Sequence, residues 1–123
     1  MAPAVLIVDD EADLLATYER LLRLHGYRTI IAATRQAALA ALDGEPPDLI
    51  IADLRLPDGD GLDVVRAARA HPHSPPVIVV TGFASAESRR QALAAGATAY
   101  LAKPFSTSAL TALVREALRP PSS

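Results

Sequence analysis

Short runs of consecutive apolar residues recur along the chain, and they predict the strands of a sheet. Four of them, at residues 5–8, 49–52, 77–80 and 99–102, consist mainly of β-branched and small apolar side chains. They lack the alternation of apolar and polar positions, which is typical of strands buried on both faces of a parallel sheet. A weaker fifth run, at residues 29–32, predicts a strand nearer the edge.

Between the predicted strands, apolar residues recur at the spacing of amphipathic helices, and small polar residues stand where those helices would begin. The residues predicted to cap the second to fifth helices are, in order, Thr34, Asp60, Ser85 and Ser106. The glycines predicted to end the first, second and fourth helices are Gly26, Gly44 and Gly96. Strands and helices therefore alternate five times.

The apolar positions within each predicted helix define the face that packs on the sheet. In the first helix they are Leu14, Leu15, Tyr18, Leu21 and Leu22; His25 falls on the same face near the helix end, where we expect it to interact with the negative end of the helix dipole. In the fifth helix they are Leu110, Leu113, Val114, Ala117 and Leu118. The fourth helix offers little beyond Ala86, Ala92 and Leu93, so we predict a helix that buries little surface and is easily displaced.

Five β-α repeats predict an α/β fold in which helices cover both faces of a parallel sheet, that is, a three-layer sandwich. The length of 123 residues fits one domain. We expect that domain to occupy residues 1–118. Residues 119–123, with two prolines and two serines, are expected to form a tail or the start of a linker.

Composition restricts the partners of this segment. Half of the residues are apolar and the net charge is −2, so the chain lacks the basic footprint of a nucleic-acid-binding domain. Apolar runs of about five residues are far too short to span a membrane. No basic region precedes the first run, so no signal peptide is expected. We expect a cytoplasmic protein with no direct contact to nucleic acid or membrane.

Polar residues follow the predicted strands at the points where those strands end. The run at 5–8 is followed by Asp9, Asp10 and Glu11, and the run at 49–52 by Asp53. Thr81 follows the run at 77–80, and Lys103 follows the run at 99–102. In an open α/β sheet, ligands bind outside the carboxyl ends of the strands. These side chains are therefore expected to converge on one edge of the sheet.

Three of these acids, Asp9, Asp10 and Asp53, predict a metal site. Carboxylates about 5 Å apart repel each other by roughly 3 kcal/mol at an effective dielectric near 20, and a hard divalent cation relieves this repulsion. Mg²⁺ suits a site with few carboxylates and an incoming phosphate. A carboxylate can also act as a nucleophile and form an aspartyl phosphate, whose charge Lys103 could neutralise while the Thr81 hydroxyl donates a hydrogen bond.

With these residues the chain resembles the receiver domains of two-component response regulators over nearly its whole length. The matching pieces are Asp9-Asp10, Asp53 with Pro57 and Gly61 four and eight residues later, Thr81-Gly82, and Lys103-Pro104. Each piece is weak alone, but their order and their positions at strand ends are specific. The resemblance implies a flavodoxin-like fold with sheet order 2-1-3-4-5.

The resemblance also implies roles for the site residues. Asp53 would accept the phosphoryl group from a histidine kinase or a phosphotransfer protein. The implied Mg²⁺ ligands are Asp10, Asp53, the backbone carbonyl of Arg55 and, mainly through water, Asp9. Lys103 would pair with Asp53 and then with the phosphoryl oxygens, and the Lys103-Pro104 bond would be cis. Thr81 and Tyr100 would form the switch pair.

Two further expectations concern signal lifetime and output. Arg55 and Phe83 lie two residues after Asp53 and Thr81, so we hypothesise that they hinder the water that hydrolyses the acyl phosphate. The fourth helix, the strand of Tyr100 and the fifth helix are expected to form the output face, through which the domain could also form a homodimer. Such a protein assists its own phosphotransfer and slow dephosphorylation but is a switch and not a turnover enzyme.

Other interpretations remain open at this point. Asp9, Asp10 and Glu11 could simply begin a helix, where acids favour the positive end of the dipole. A flavodoxin-like FMN protein would need a phosphate-binding loop rich in Ser, Thr or Gly where these acids stand. A Mg²⁺-dependent phosphohydrolase would need a second acid-base carboxylate beside Asp53, and none is evident.

Overall fold

Five parallel strands form the centre of the computed structural model, which describes residues 2–119. We number them β1 (Ala4–Val8), β2 (Arg28–Ala32), β3 (Leu49–Asp53), β4 (Val77–Thr81) and β5 (Ala99–Ala102). Their order in the sheet is β2-β1-β3-β4-β5, and every neighbouring pair is parallel. The predicted flavodoxin-like sheet order is confirmed. Residues 120–123 of the expected tail lie outside the described residues.

The sheet order places a crevice at the carboxyl ends of β1 and β3. The chain passes from β1 to β2 on one side and then returns to β3 on the other, so the direction of winding reverses between β1 and β3. Val8 lies beside Ala52 in register, so the residues that follow them, Asp9 and Asp53, emerge together at this edge. Ligand sites in such folds form at this switch point.

Five helices cover the two faces of the sheet in the three predicted layers. They are α1 (Ala12–Leu24), α2 (Arg35–Asp43), α3 (Leu62–Ala70), α4 (Ala86–Ala95) and α5 (Thr107–Ala117). One core cluster takes its helical residues from α1 and α5, and the other takes them from α2, α3 and α4. All residues of β1, β3 and β4 are buried, which explains their unbroken apolar runs.

Three of the predicted helix caps form as expected. The side chains of Thr34, Ser85 and Ser106 accept hydrogen bonds from the backbone three residues later and so begin α2, α4 and α5. The prediction for Asp60 was wrong. Gly61 is the capping residue of α3, and Asp60 lies one residue earlier, where its Oδ1 accepts a 2.9 Å hydrogen bond from the N–H of Leu62.

His25 lies at the end of α1, as its position near a helix end suggested: it is exposed, and its Nδ1 lies 2.9 Å from the carbonyl oxygen of Leu21. The prediction for the buried face of α4 was wrong in part. In α4 only Ala92 is buried, whereas Ala86 is exposed and Leu93 is 42% exposed. The fourth helix therefore buries even less surface than its sequence indicates.

The connection after β3 contains a small hairpin. Residues Arg55–Leu56 pair with Gly59–Asp60 in an antiparallel ladder, with Arg55 opposite Asp60.

Among residues 2–119, none of the helices combines the length and the apolar composition that a membrane crossing requires.

Candidate functional site

The predicted acids converge at the carboxyl ends of β1 and β3. Asp53 is the last residue of β3 and is 7% exposed, and Asp9 directly follows β1 and is fully buried. Asp10 is exposed beside them. One carboxylate oxygen from each of these three residues lies within 4.8 Å of the others. The edge of the sheet therefore carries a compact group of oxygen ligands.

Lys103 lies between the two buried acids. Its Nζ donates hydrogen bonds to Asp53 Oδ2 at 2.8 Å and to Asp9 Oδ2 at 2.9 Å. Glu11 Oε1 is 3.6 Å from the same nitrogen, a contact that the sequence pattern did not predict. One ammonium thus serves two buried carboxylates and approaches a third acid at the surface.

These contacts set the charges in the pocket. Burial alone would lower the pKa of Lys103, but the hydrogen bonds to Asp53 and Asp9 outweigh it and hold the pKa above its ordinary value. The lysine is therefore charged. Burial raises the pKa of Asp9, although the Lys103 ammonium and the Glu11 N–H act in the opposite direction. Lys103 is thus the charge that makes the burial of two acids tolerable.

Each buried carboxylate is also fixed by the backbone that follows it. Oδ1 of Asp9 accepts the N–H of Glu11 at 2.9 Å, and Oδ1 of Asp53 accepts the N–H of Arg55 at 3.1 Å. In both residues Oδ1 therefore faces the backbone and Oδ2 faces Lys103. The backbone of Lys103 is held in turn, because its N–H donates to the carbonyl of Thr81 at 2.8 Å. The Lys103–Pro104 peptide bond is cis, as expected.

Gly61 permits the loop after Asp53 to turn back towards the strand. A Cβ at this position would lie 2.0 Å from the carbonyl oxygen of Asp53, so no side chain can be accommodated. The N–H of Gly61 donates to the carbonyl of Leu54 at 2.8 Å. The glycine eight residues after Asp53 is thus required by the path of the chain.

Thr81 and Tyr100 lie near the site but do not contact each other through a hydrogen bond within the described part of the chain. Thr81 is 1% exposed at the end of β4, and its Oγ1 accepts the N–H of Phe83 at 3.0 Å. Tyr100 is half-buried on β5, and its hydroxyl contacts the Ser88 hydroxyl and lies 3.4 Å from the N–H of Ser85. Tyr100 is therefore attached to the first turn of α4.

Arg55 and Phe83, which follow Asp53 and Thr81 by two residues each, contact each other. The guanidinium carbon of Arg55 lies 3.6 Å from the centroid of the Phe83 ring, in a cation–π contact. The ring is 63% exposed. The sequence placed both residues near Asp53 but could not predict their contact, because that contact depends on the directions of two surface side chains.

Asp58 is a residue that the sequence interpretation missed. Its carboxylate accepts the backbone N–H groups of Arg35 at 2.6 Å and Gln36 at 2.9 Å. These residues are more than twenty positions away in sequence. No local pattern could have indicated this link.

The donor set fits a hard divalent cation. Three carboxylate groups within reach of one another supply the oxygen ligands that Mg²⁺ prefers, and a single ammonium leaves the group net negative. The backbone carbonyl of Arg55, two residues after Asp53, stays a predicted further ligand. The residues present therefore suit the magnesium site that the sequence led us to expect.

Comparison with known proteins identifies the family. The model of the response regulator receiver domain matches residues 5–115, and the chain belongs to this family. The transcriptional regulatory protein PrrA of Mycobacterium tuberculosis is 42% identical over 118 residues, which cover 96% of this chain and 51% of that protein. This chain thus spans about half the length of that relative.

Solved receiver domains share the fold. A CheY-like receiver domain protein from Methanospirillum hungatei has a TM-score of 0.91 and 35% identity, with 96% of this chain and 94% of that chain covered. The receiver domain of the sensor histidine kinase PA1611 from Pseudomonas aeruginosa has a TM-score of 0.86 and 31% identity, with 96% and 98% covered. That structure has a magnesium ion coordinated in its active site cleft. Receiver domains of this family are phosphorylation switches of two-component systems and are phosphorylated by histidine kinases.

Proposed function

We propose that this domain is switched by transfer of a phosphoryl group to Asp53 from a histidine kinase or a phosphotransfer protein. The observation that carries the proposal is the position of Lys103, whose ammonium is hydrogen-bonded to Asp53 and Asp9 while Asp10 lies alongside. A carboxylate nucleophile next to a fixed positive charge and further oxygen ligands suits phosphoryl transfer.

In the proposed reaction, one carboxylate oxygen of Asp53 attacks the phosphorus of a phosphohistidine. The P–N bond breaks, and its electron pair returns to the imidazole nitrogen of the donor. The Lys103 ammonium then moves its hydrogen bond from the carboxylate to a phosphoryl oxygen. Thr81 keeps its hydroxyl proton available for a second phosphoryl oxygen, because its Oγ1 is an acceptor in the bond from Phe83.

Asp10, Asp53 and the backbone carbonyl of Arg55, with Asp9 acting mainly through water, would hold Mg²⁺ in this proposal. When bound, the ion supplies positive charge that offsets the negative charge of the incoming phosphoryl group. The chain's own residues position the acceptor, since Arg55 N–H and Lys103 Nζ fix the two oxygens of Asp53 separately.

The lifetime of the phosphorylated state is proposed to depend on Arg55 and Phe83. Their cation–π contact forms a cover of an aromatic ring and a guanidinium group on the loops that follow Asp53 and Thr81. Such a cover would slow the entry of the water that hydrolyses the acyl phosphate. The domain would therefore assist its own phosphorylation while losing the phosphoryl group slowly.

The output is proposed to pass through α4, β5 and α5. Movement of Thr81 towards the phosphoryl group would disturb the Phe83 backbone and the α4 turn to which Tyr100 is attached. Because the matched relative is twice as long and is named a transcriptional regulatory protein, we propose that this face acts on a regulatory partner or on a second copy of the domain. With a net charge of −2, direct nucleic-acid binding by this segment is not part of the proposal.

Mass spectrometry tests the proposal most directly. Treatment with acetyl phosphate and Mg²⁺ should add about 80 daltons, the mass of one phosphoryl group. Asp53→Asn should abolish the gain, whereas Asp43→Asn, at the end of α2, should leave it intact. Retention of the gain in Asp53→Asn would refute the assignment. Steady turnover of small phosphate esters would instead favour a phosphohydrolase.

A further inference from the structure

The turn that follows the phospho-acceptor strand is fastened to the start of α2. Asp58 lies at the tip of the hairpin, and its two carboxylate oxygens accept separate backbone N–H groups, from Arg35 at 2.6 Å and Gln36 at 2.9 Å. These are the first two residues of α2, whose N–H groups have no partner within the helix. A carboxylate is the favoured charge at this end of the helix dipole.

The pKa of Asp58 agrees with this contact. The hydrogen bond from the Gln36 N–H is the main cause that lowers the pKa of this exposed carboxyl, and the bond from the Arg35 N–H adds to it. Asp58 is therefore ionised at neutral pH and binds the helix start as a charged cap.

A second contact joins the same two parts of the chain. The Arg35 side chain crosses directly over Gly59, where a Cβ would lie 2.6 Å from the Arg35 Cδ. Beyond this crossing, Arg35 Nε forms a 2.8 Å ion pair with Oδ2 of Asp63 on α3. The hairpin tip is thus held between the backbone and the side chain of one arginine.

The hairpin transmits this attachment to the candidate metal site. Gly59 and Asp60 pair with Leu56 and Arg55, so the strand that carries Arg55 is in register with the residues next to Asp58. Arg55 supplies the N–H that fixes Asp53 Oδ1 and the carbonyl expected to bind the metal. Freeing the tip would let this strand move, with both groups on it.

We propose that Asp58 is a positioning residue that couples α2 to the metal site by holding the Arg55 strand in place. The inference rests on the proposed function, because it concerns the affinity of the same site for Mg²⁺. Since coupling between two sites is reciprocal, Mg²⁺ binding must also tighten the start of α2. Through this coupling, a change at the surface of α2 would affect the acceptor Asp53.

Thr34 offers a matched control. Its Oγ1 accepts the N–H of Ala37, the third residue of the same helix, at 3.0 Å, but it does not hydrogen-bond to the hairpin. Thr34→Ala and Asp58→Ala each remove one side-chain cap from α2 and should cost similar stability. Only Asp58→Ala releases the hairpin tip.

The test is calorimetric titration of Mg²⁺ into the wild type and both variants. Asp58→Ala should weaken binding about three- to tenfold, and Thr34→Ala should stay within about twofold of the wild type. Asp58→Asn keeps one oxygen acceptor, so its affinity for Mg²⁺ should lie between those of Asp58→Ala and Thr34→Ala. If Asp58→Ala does not fold, Asp58→Asn takes its place in the test. Hydrogen exchange provides the second readout: Mg²⁺ should slow exchange of the Arg35 and Gln36 amides in the wild type but not in Asp58→Ala.

The outcomes separate this inference from the proposed function. Equal weakening by Thr34→Ala, or wild-type affinity in the Asp58 variants, would overturn the coupling while leaving the phosphorylation proposal intact. A wild type that neither binds Mg²⁺ nor gains a phosphoryl group would overturn both. A loss of affinity confined to the Asp58 variants, together with Mg²⁺-dependent protection of α2, would establish the coupling.

Discussion

At the scale of single residues, the site holds more negative charge than Lys103 can offset. The ammonium bonds to Asp9 and Asp53, whereas Asp10 remains within reach of both and makes no ion pair among residues 2–119. The pocket is therefore electrostatically strained unless another cation binds. Mutations that change the charge of this pocket should therefore affect the stability of the protein more than mutations that change its packing.

Removing Asp10 should consequently stabilise the metal-free protein. Asp10→Ala relieves repulsion on two buried neighbours, and because Asp10 is exposed we expect a gain of about 0.5–1 kcal/mol, or about 2–4 °C in Tm. Thermal unfolding in EDTA measures it. Asp53→Asn should shift Tm in the same direction but less, because Lys103 then loses a partner. A lower Tm for Asp10→Ala would contradict this view of the cluster.

The contact between Arg55 and Phe83 leads to a kinetic prediction. If the pair restricts water, Phe83→Ala and Arg55→Ala should each speed the decay of the phosphorylated protein about two- to fivefold, as expected for losing 0.5–1 kcal/mol from an exposed cation–π contact. The fraction phosphorylated is followed by mass spectrometry after the donor is removed. Leu93→Ala, an exposed apolar change on α4, is the control, and decay rates unchanged by the two variants would disprove the idea.

Residue positions were predictable where they follow from strand ends. Asp9, Asp53, Thr81 and Lys103 each stand where an apolar run stops, and a parallel sheet brings all such positions to one edge. Contacts that depend on side-chain direction were not predictable. Asp58 and its α2 partners are joined only after the sheet has brought distant loops together, so no spacing in the sequence reveals them.

At the scale of elements, α4 is the helix with the weakest attachment. It buries only Ala92, and its first turn is held through the Ser88 and Ser85 contacts with Tyr100. An element with so few buried contacts costs little to displace. A switch that acts through Tyr100 would therefore move this helix before any other.

Amide exchange tests this expectation. Binding of beryllofluoride and Mg²⁺, as a phosphoryl mimic, should change exchange rates within residues 86–117, first in α4 and then in β5 and α5. Val64, Val65 and Ala68 of α3, which are buried in one core cluster, serve as the internal reference. Unchanged exchange across residues 86–117 would count against α4, β5 and α5 as the output face.

Tyr18 offers an independent prediction about the packing of α1. Its ring is fully buried and stacks on Phe105 with centroids 6.0 Å apart, but its hydroxyl has no hydrogen-bond partner among the described residues. Tyr18→Phe keeps the stacking and removes an unpaired buried group, so it should stabilise the protein by about 1 kcal/mol. Urea unfolding would measure the gain, and a loss of stability would mean that the hydroxyl is satisfied in solution.

The elements themselves were largely predictable, and the errors have physical causes. Strand bounds agreed to within a residue. β1, β3 and β4 are buried on both faces and so read as unbroken apolar runs, whereas β5, predicted to be buried in the same way, is an edge strand and only partly buried. The cap of α3 was misplaced because Gly61 must sit against the Asp53 carbonyl, a constraint set by the hairpin.

At the scale of the whole molecule, the fold separates the charged site from the apolar cores. One edge of the sheet gathers the charged groups, while the apolar faces lie under separate helical layers. Repulsion at the edge can therefore be strong without disturbing the cores. The consequence is a domain whose stability should depend on whether a cation occupies that edge.

Mg²⁺ should raise the stability of the whole domain, because the proposed Mg²⁺ site exists only in the folded state. At 100 times the Kd, linkage gives a gain of about 2.7 kcal/mol, which should raise Tm by about 8–10 °C. Asp53→Asn and Asp10→Ala should lose most of this gain, since each removes a ligand oxygen from the group. NaCl at matched ionic strength is the control, because it screens the acids without binding between them. If NaCl raised Tm as much as Mg²⁺ does, screening and not a specific site would explain the effect. That result would refute the assignment of the acids at the ends of β1 and β3 as metal ligands.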